Sequence, residues 1–316
     1  MNLKKLGINL SLISCALLTG CNATQHYTST LTEGMDNNIS PRQDFYRYVN
    51  GKWENSTTIP ADRTSWGTLA ELNELNEKRS LTLLQAVISD PKFANDPKAQ
   101  HIKAIFEAYT DLNAREKAGL TPVKADLNKI QSIRTLADFE HYIINETKQG
   151  NDPLFSWGVF AHLKHSRQNA VYLGNEDLGL SNDYYQKDTP ENRQILAKYQ
   201  DYVAKILEKA GLDNVKARSK AIVNYEKAIA KTLFTNEEER DIQKRYNPIS
   251  TQNLAKLSKN FNLENYLQAV GVKTDEVILW EPRYFQAFDS LINAQNLAVI
   301  KDYMIFRTLS GASPYL

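Results

Sequence analysis

The 316-residue sequence predicts a mainly α fold, a multi-helix domain carrying one small β-hairpin. Two observations predict it. Apolar residues recur at three- and four-residue spacing through several long segments closed by Gly or Pro. Between them lies one aromatic and β-branched stretch split by a polar run, the pattern of a hairpin.

The first helical segment is Thr68 to Ser89, where Leu69, Leu72, Leu75, Leu81, Leu83 and Leu84 keep roughly helical spacing and Asp90-Pro91 ends it. Ala99 to Ala118 places Ile102, Ile105, Phe106, Tyr109 and Leu112 on one face, with Gly119 as the stop. Leu136–Thr147 is a further helix, followed by Gly150. The pattern changes at Pro153. LFSWGVFAHL and NAVYLG flank the polar run Lys164–Gln168, which predicts a hairpin with that run as its turn. Leu178–Tyr185, LGLSNDYY, reads as a turn-rich connection. Helices resume at Pro190–Ala210, with Pro190 suited to the first turn by its fixed φ, and at Val215–Thr235. The charged run from Thr235 to Asn247 reads as a helix end and a loop, and Ser250 as the cap of a short helix. Val277–Trp280 is a short strand, and Pro282–Leu291 and Leu297–Leu309 are the last helices.

The amino terminus obeys other rules. Lys4 and Lys5 precede an apolar stretch, Leu6–Leu18, too short to span a bilayer, and then come Leu18-Thr19-Gly20-Cys21. Small residues before a Cys at the end of such a stretch resemble the lipobox of bacterial lipoproteins. Residues 1–20 are therefore expected to be a lipoprotein signal peptide and Cys21 the lipid attachment site, anchoring the chain to the cell envelope facing the periplasm. Residues 21–40, polar and without periodicity, are expected to be a flexible tether, and 41–316 the folded domain. Cys15 would leave with the signal and Cys21 would be acylated, so no thiol would remain for a disulfide. With 38 Lys+Arg against 37 Asp+Glu, the chain offers no basic field, which argues against nucleic acid as a partner.

Catalytic signatures are sparse. The histidines are His26, His101, His141, His162 and His165. Only His162 and His165 are close, as HLKH, at an expected strand end and turn. Three residues apart on a strand they are expected to point to opposite faces, as exposed turn residues rather than metal ligands. No HExxH, GxSxG or phosphate loop occurs. Glu237 and Glu239 sit in a charge run that reads as a solvated face. The residues alone give no catalytic residue and no metal ligand.

One stretch is unusual. DFYRYVNGKW, Asp44–Trp53, carries four aromatics in ten residues and is followed by IPADRTSWG, Ile59–Gly67. It resembles the amino-terminal region of the neprilysin and endothelin-converting-enzyme family of zinc metalloendopeptidases. The likeness continues in order through Val171-Tyr172-Leu173-Gly174, LGLSNDYY with Ser181 where Pro is usual, EEERDIQKRYNP (Glu237–Pro248) with Ile249 where Met is usual, and Ala298–Leu316. It covers about Pro41 to Leu316.

The resemblance implies a helical cap that restricts a catalytic cavity to peptides. It implies Zn²⁺ for the full family enzyme, held by motifs carboxy-terminal to this region and absent from these residues. The chain is expected to be a truncated product or amino-terminal fragment, inactive alone, whose partners are a catalytic domain or chain, peptides in the full enzyme, and the membrane through Cys21. A peptide-binding or scaffold lipoprotein, or a half complementing a separate catalytic chain, is the alternative. Some family members place an Arg before the aromatic-Gly pair to bind a substrate carboxylate. Here that position is Ser65, and Arg63, two residues earlier, is the candidate substrate contact, with a surface ion pair as its other reading. Tyr46, Tyr48 and Trp53 are expected to pack rather than bind ligand.

Overall fold

The computed structural model describes residues 32–316, so the expected signal peptide, Cys21 and the first part of the expected tether lie outside the described residues. The described residues divide into two compact units, a first that ends at Phe106 and a second, Glu107–Leu316. Among the described residues no helix is long and apolar enough to cross a membrane.

In the first unit, the aromatic stretch is a helix, α1 (Phe45–Ser56), capped by the Asp44 side chain on the Arg47 N–H. Residues 34–39, within the expected tether, are bonded to it. Gly34 O accepts the Lys52 N–H at 3.0 Å, and the Asp36 N–H donates to Tyr48 O at 2.9 Å. Gly51 is buried against Asp36 and Ile39. Helix α2 (Thr68–Ser89) has the bounds its leucines predict. The Trp53 indole N–H donates to Glu71 Oε1 at 2.9 Å and ties α1 to α2.

The expected helix 99–118 is two helices, α3 (Pro97–Thr110) and α4 (Leu112–Ala118). The break is at Asp111, whose side chain accepts the Ala114 N–H and starts a new helix. The second unit continues with α5 (Lys124–Ser132), for which the sequence gives no expectation, and α6 (Leu136–Lys148), opened by a reciprocal Thr135–Asp138 capping box.

The hairpin is β1 (Trp157–His162) and β2 (His165–Leu173). Its turn is tighter than expected: only Leu163 and Lys164 lie outside the strands, and the polar residues after them belong to β2. After α7 (Asn182–Gln186), α8 (Pro190–Lys209) and α9 (Val215–Ala230), the chain returns as β3 (Asn247–Ser250). Helices α10 (Thr251–Leu254, capped by Ser250) and α11 (Leu263–Ala269) lead to β4 (Glu276–Leu279). Helices α12 (Pro282–Gln286), α13 (Phe288–Leu291) and α14 (Leu297–Ala312) complete it.

The hairpin belongs to a four-stranded mixed sheet in the order β1-β2-β4-β3. Strand β4 pairs parallel with β2, Val171 opposite Val277, and antiparallel with β3, Ile249 opposite Val277. The core is aromatic. Phe155 lies with its ring centroid 4.9 Å from Tyr266, 5.7 Å from Phe285 and 5.9 Å from Phe288, all buried. Helix α14 buries Ile300, Tyr303, Ile305 and Phe306 in the same core.

Candidate functional site

The first unit shows an apolar surface where a core would be expected. No residue of α2 is buried, although it is 22 residues long and leucine-rich. Leu69 is 78% exposed and Leu83 67%, and Leu72, Leu75 and Leu81 are also exposed. On α1, Phe45 is 67% and Tyr46 59% exposed, although the Phe45 ring meets the Tyr48 ring at 6.4 Å, while Tyr48 and Trp53 are partly covered. Ile59, Ile102 and Ile105 add to the exposed set. Single exposed apolar residues are ordinary, but a leucine-rich helix with none buried is not.

Arg63 lies in this unit, in the segment between α1 and α2. Its Nε is 3.5 Å from Asp62 Oδ2, both side chains exposed. It shares a cavity of about 390 Å³ with Trp66, Glu74, Glu77 and Lys78. Asp62, Glu74 and Glu77 line the cavity beside Pro60, Trp66 and Leu81, so Arg63 stands near carboxylates that compete for its charge.

The second unit shows what the recurring motifs do. In LGLSNDYY, the Gly179 N–H donates to Glu226 Oε1 at 2.9 Å. The Tyr185 hydroxyl donates to Oε2 at 2.9 Å and the Tyr199 hydroxyl to Oε1 at 3.0 Å. Glu226 on α9 is fully buried, and burial raises its carboxyl pKa against the opposing effect of these three donors. Asn192 Nδ2 and Gln186 Nε2 then tie the motif to the loops around it, on Asp183 O and Ala230 O. The turn-rich connection is thus a fixed clasp around one buried acid.

The charge run is not simply a solvated face. Glu237 is exposed, but Glu238 accepts the Thr235 N–H at 3.0 Å, Arg283 at 2.9 Å and Lys244 at 3.1 Å. The backbone bond from Thr235, then the two cations, pull its carboxyl down to about 2. Arg245 lies 3.8 Å over the Trp280 ring. Glu281 is buried and accepts the Phe234 N–H through both oxygens, and burial pushes it up to about 7. Asn247 Nδ2 bridges Lys244 O and Leu279 O. These residues stitch β3 and β4 to the loop after α9.

His162 and His165 do not point apart, contrary to expectation. The tight turn makes them cross-strand partners with ring centroids 4.8 Å apart, a bulge at Ala161/His162 resetting the strand alternation. His162 is buried, not exposed. Its Nδ1 accepts both the Lys164 and His165 N–H groups at 3.1 Å, and Nε2 lies 3.5 Å from the Tyr246 hydroxyl. A nitrogen that caps a turn is not free to hold a metal. Among the described residues no group of three or more His, Cys, Asp or Glu is placed to hold one.

Sequence reasoning missed Glu226, Glu281 and the buried Glu176. Each is an isolated acid in a helix or loop, and no spacing marks its burial. The partial signal was the glycine and tyrosine content of LGLSNDYY.

Comparison with known proteins matches residues 41–316 to the family model described as Peptidase family M13. The neutral endopeptidase of Lactococcus lactis subsp. cremoris is 27% identical over 277 residues, 87% of this chain and 44% of that protein. Endothelin-converting enzyme 1 of Bos taurus is 25% identical over 304 residues, 92% of this chain and 40% of that protein. Among solved structures, the Mycobacterium tuberculosis zinc metalloprotease ZMP1 in complex with an inhibitor aligns with TM-score 0.77 at 23% identity, over 90% of this chain and 44% of that one. PEPO from Lactobacillus rhamnosis aligns with TM-score 0.73 at 20% identity, over 88% and 44%. The chain spans less than half the length of these relatives.

Proposed function

This chain belongs to peptidase family M13, and from that membership we propose that residues 41–316 are the helical cap of a neprilysin-like zinc metalloendopeptidase acting on peptides. In this reading the cap restricts entry to a catalytic cavity, and the zinc and the catalytic groups come from a carboxy-terminal domain or chain. The cap alone is inactive.

The observation that carries the reading is the uncovered apolar surface of the first unit. Phe45 and Tyr46 on α1 and the leucines of α2 are a large apolar set for a soluble surface. An amphipathic helix draws most of its stability from burial of that face, so α2 calls for a partner. A scaffold working alone would need a polar surface there, which makes the reading as an independent binding lipoprotein the weaker one. Location rests on the sequence: lipidation at Cys21 would hold the cap at the envelope, facing the periplasm. Arg63 keeps its place as a candidate contact for a peptide carboxylate, set against its ion pair with Asp62.

The test is to purify the chain and measure bound zinc and peptide hydrolysis. The expected result is neither stoichiometric zinc nor cleavage. One equivalent of zinc together with hydrolysis that a chelator stops would overturn the proposal.

A further inference from the structure

The second unit contains a cavity of about 350 Å³ that the peptidase reading does not use. Four parts of the fold build it: α6 through Tyr142, the loop after α6, the segment leaving β2, and α14. Glu176, just after β2, is 8% exposed and lines it. Its place is fixed by the neighbouring backbone, where the Gly174 N–H donates to Ser156 O at 2.8 Å. Arg307, half-buried on α14, lines the same cavity, and Asp152 stands on the loop after α6.

Glu176 and Arg307 carry opposite charges in one cavity, yet they are not an ion pair. Among the described residues no ion pair joins the Glu176 carboxyl to the Arg307 guanidinium; Arg307 acts on Glu176 only through its field, and the Tyr303 hydroxyl is the one side chain that hydrogen-bonds to the carboxyl. The Arg307 charge and then the Tyr303 hydroxyl lower the Glu176 pKa, and the same hydroxyl also donates to Asp177 O at 3.3 Å, so it is shared between two acceptors. Arg307 meets the protein through the Tyr303 ring, 5.9 Å from its centroid. The other acid of this region, Glu226, is already satisfied by three donors. A buried carboxyl held by one shared hydroxyl, beside a cation that makes no ion pair with it, is costly without a ligand that meets both.

We propose that this cavity is a receptor for a small zwitterion, an α-amino acid, whose ammonium group sits between Glu176 and Asp152 and whose carboxylate meets Arg307. The arrangement suits both ends at once: a carboxylate accepts from guanidinium in a planar fork, and an ammonium donates to several oxygens. Tyr142, Pro153 and Met304 form the rest of the wall and suit an apolar side chain. Free amino acids are the end products of complete peptide hydrolysis, a stage beyond the shorter peptides that an endopeptidase releases. The site itself does not depend on the chain being part of a peptidase.

Burial pushes Glu176 up to about 8, with Arg307 opposing and Glu226 and Asp177 reinforcing the shift. Burial also raises Asp152. An arriving ammonium favours the ionised carboxyl, so binding near neutral pH releases a proton.

The test is isothermal titration of the full chain with L-leucine, isoamylamine and 4-methylpentanoate, which are leucine and its two singly charged halves. Leucine is expected to bind at one site, with each half weaker by roughly tenfold or more, because each loses one charge-assisted contact. Glu176→Gln and Arg307→Gln are expected to weaken leucine by a similar factor while retaining the wild-type circular dichroism. In buffers of different ionisation enthalpy, the wild-type heat should reveal proton release, and the Glu176→Gln heat should lose most of it. A panel of α-amino acids showing no saturable binding up to about 10 mM overturns the proposal. So does equal binding of leucine and its halves, or leucine binding that both folded variants leave unchanged.

Discussion

The Tyr199 hydroxyl donates to the buried Glu226 carboxylate at 3.0 Å, in space that exists only because residue 179 is glycine. A Cβ at Gly179 would lie 1.8 Å from that hydroxyl oxygen. The requirement is steric. One turn, one tyrosine from α8 and one acid from α9 close on the same point.

Gly179→Ala is therefore expected to destabilise the second unit by about 1–3 kcal/mol, the usual range for overpacking. Urea unfolding followed by tyrosine and tryptophan fluorescence measures it. Glu226→Ala should cost at least as much, because it leaves the donors from Gly179, Tyr185 and Tyr199 without an acceptor. Glu226→Gln should cost less than the alanine variant, since one oxygen remains. A Gly179→Ala protein as stable as wild type would show that the clasp is loose.

Stability should fall as pH rises above about 4.5. Glu176 has a folded pKa of about 8 and Glu281 of about 7, both raised chiefly by burial from a reference of 4.5. A carboxyl with a raised folded pKa holds its proton longer in the folded state. Its contribution is complete below about pH 4.5 and is lost as pH climbs through 7 and 8. Glu238 works the other way: its depressed pKa, about 2, contributes stability above the reference value that disappears in acid. Chemical denaturation at pH 5 and pH 8 reads the difference, and Glu176→Gln with Glu281→Gln should flatten it. An equally steep slope in that double variant would contradict the assignment.

The exposed leucines should be expendable in the isolated chain. Leu69→Lys and Leu83→Lys are expected to change its stability by no more than about 0.5 kcal/mol, as for other surface positions, and to reduce binding of a hydrophobic dye. Ile130, with no exposed surface, gives the contrast: Ile130→Ala should cost about 2–5 kcal/mol. If the two leucine variants unfold the chain, α2 is buried in solution and needs no partner.

Lipidation at Cys21 predicts incorporation of labelled fatty acid into the chain in bacterial cells, and its loss in Cys21→Ser. Label that persists in the variant would place the anchor elsewhere or remove it.

Much of the helical order was legible in the residues. Helix α2 keeps its predicted bounds because leucine spacing and Asp90-Pro91 act locally. The break at Asp111 was legible in principle, since Asp before Leu-Asn-Ala is a cap, but the apolar face continues through it and masks the signal. Helix α5 is short and carries Leu127 and Ile130 as its buried contacts, too few for a clear period. Strand β3 could not be read locally. It contains Pro248 and exists because β4, some thirty residues on in sequence, supplies its hydrogen-bond partners.

By itself the sequence determined the helical class, the hairpin and the family likeness, because periodicity, caps and short motifs are properties of neighbouring residues. Only the tertiary structure decided that Glu226 gathers three donors, that His162 and His165 face one another across a two-residue turn, and that Glu176 and Arg307 share a cavity without pairing. Each depends on residues from separate elements meeting, where burial sets the cost of a charge and geometry sets its partners. DFYRYVNGKW shows both limits: its order of residues carries the likeness, while the exposure of Phe45 and Tyr46 is a fact of the fold alone.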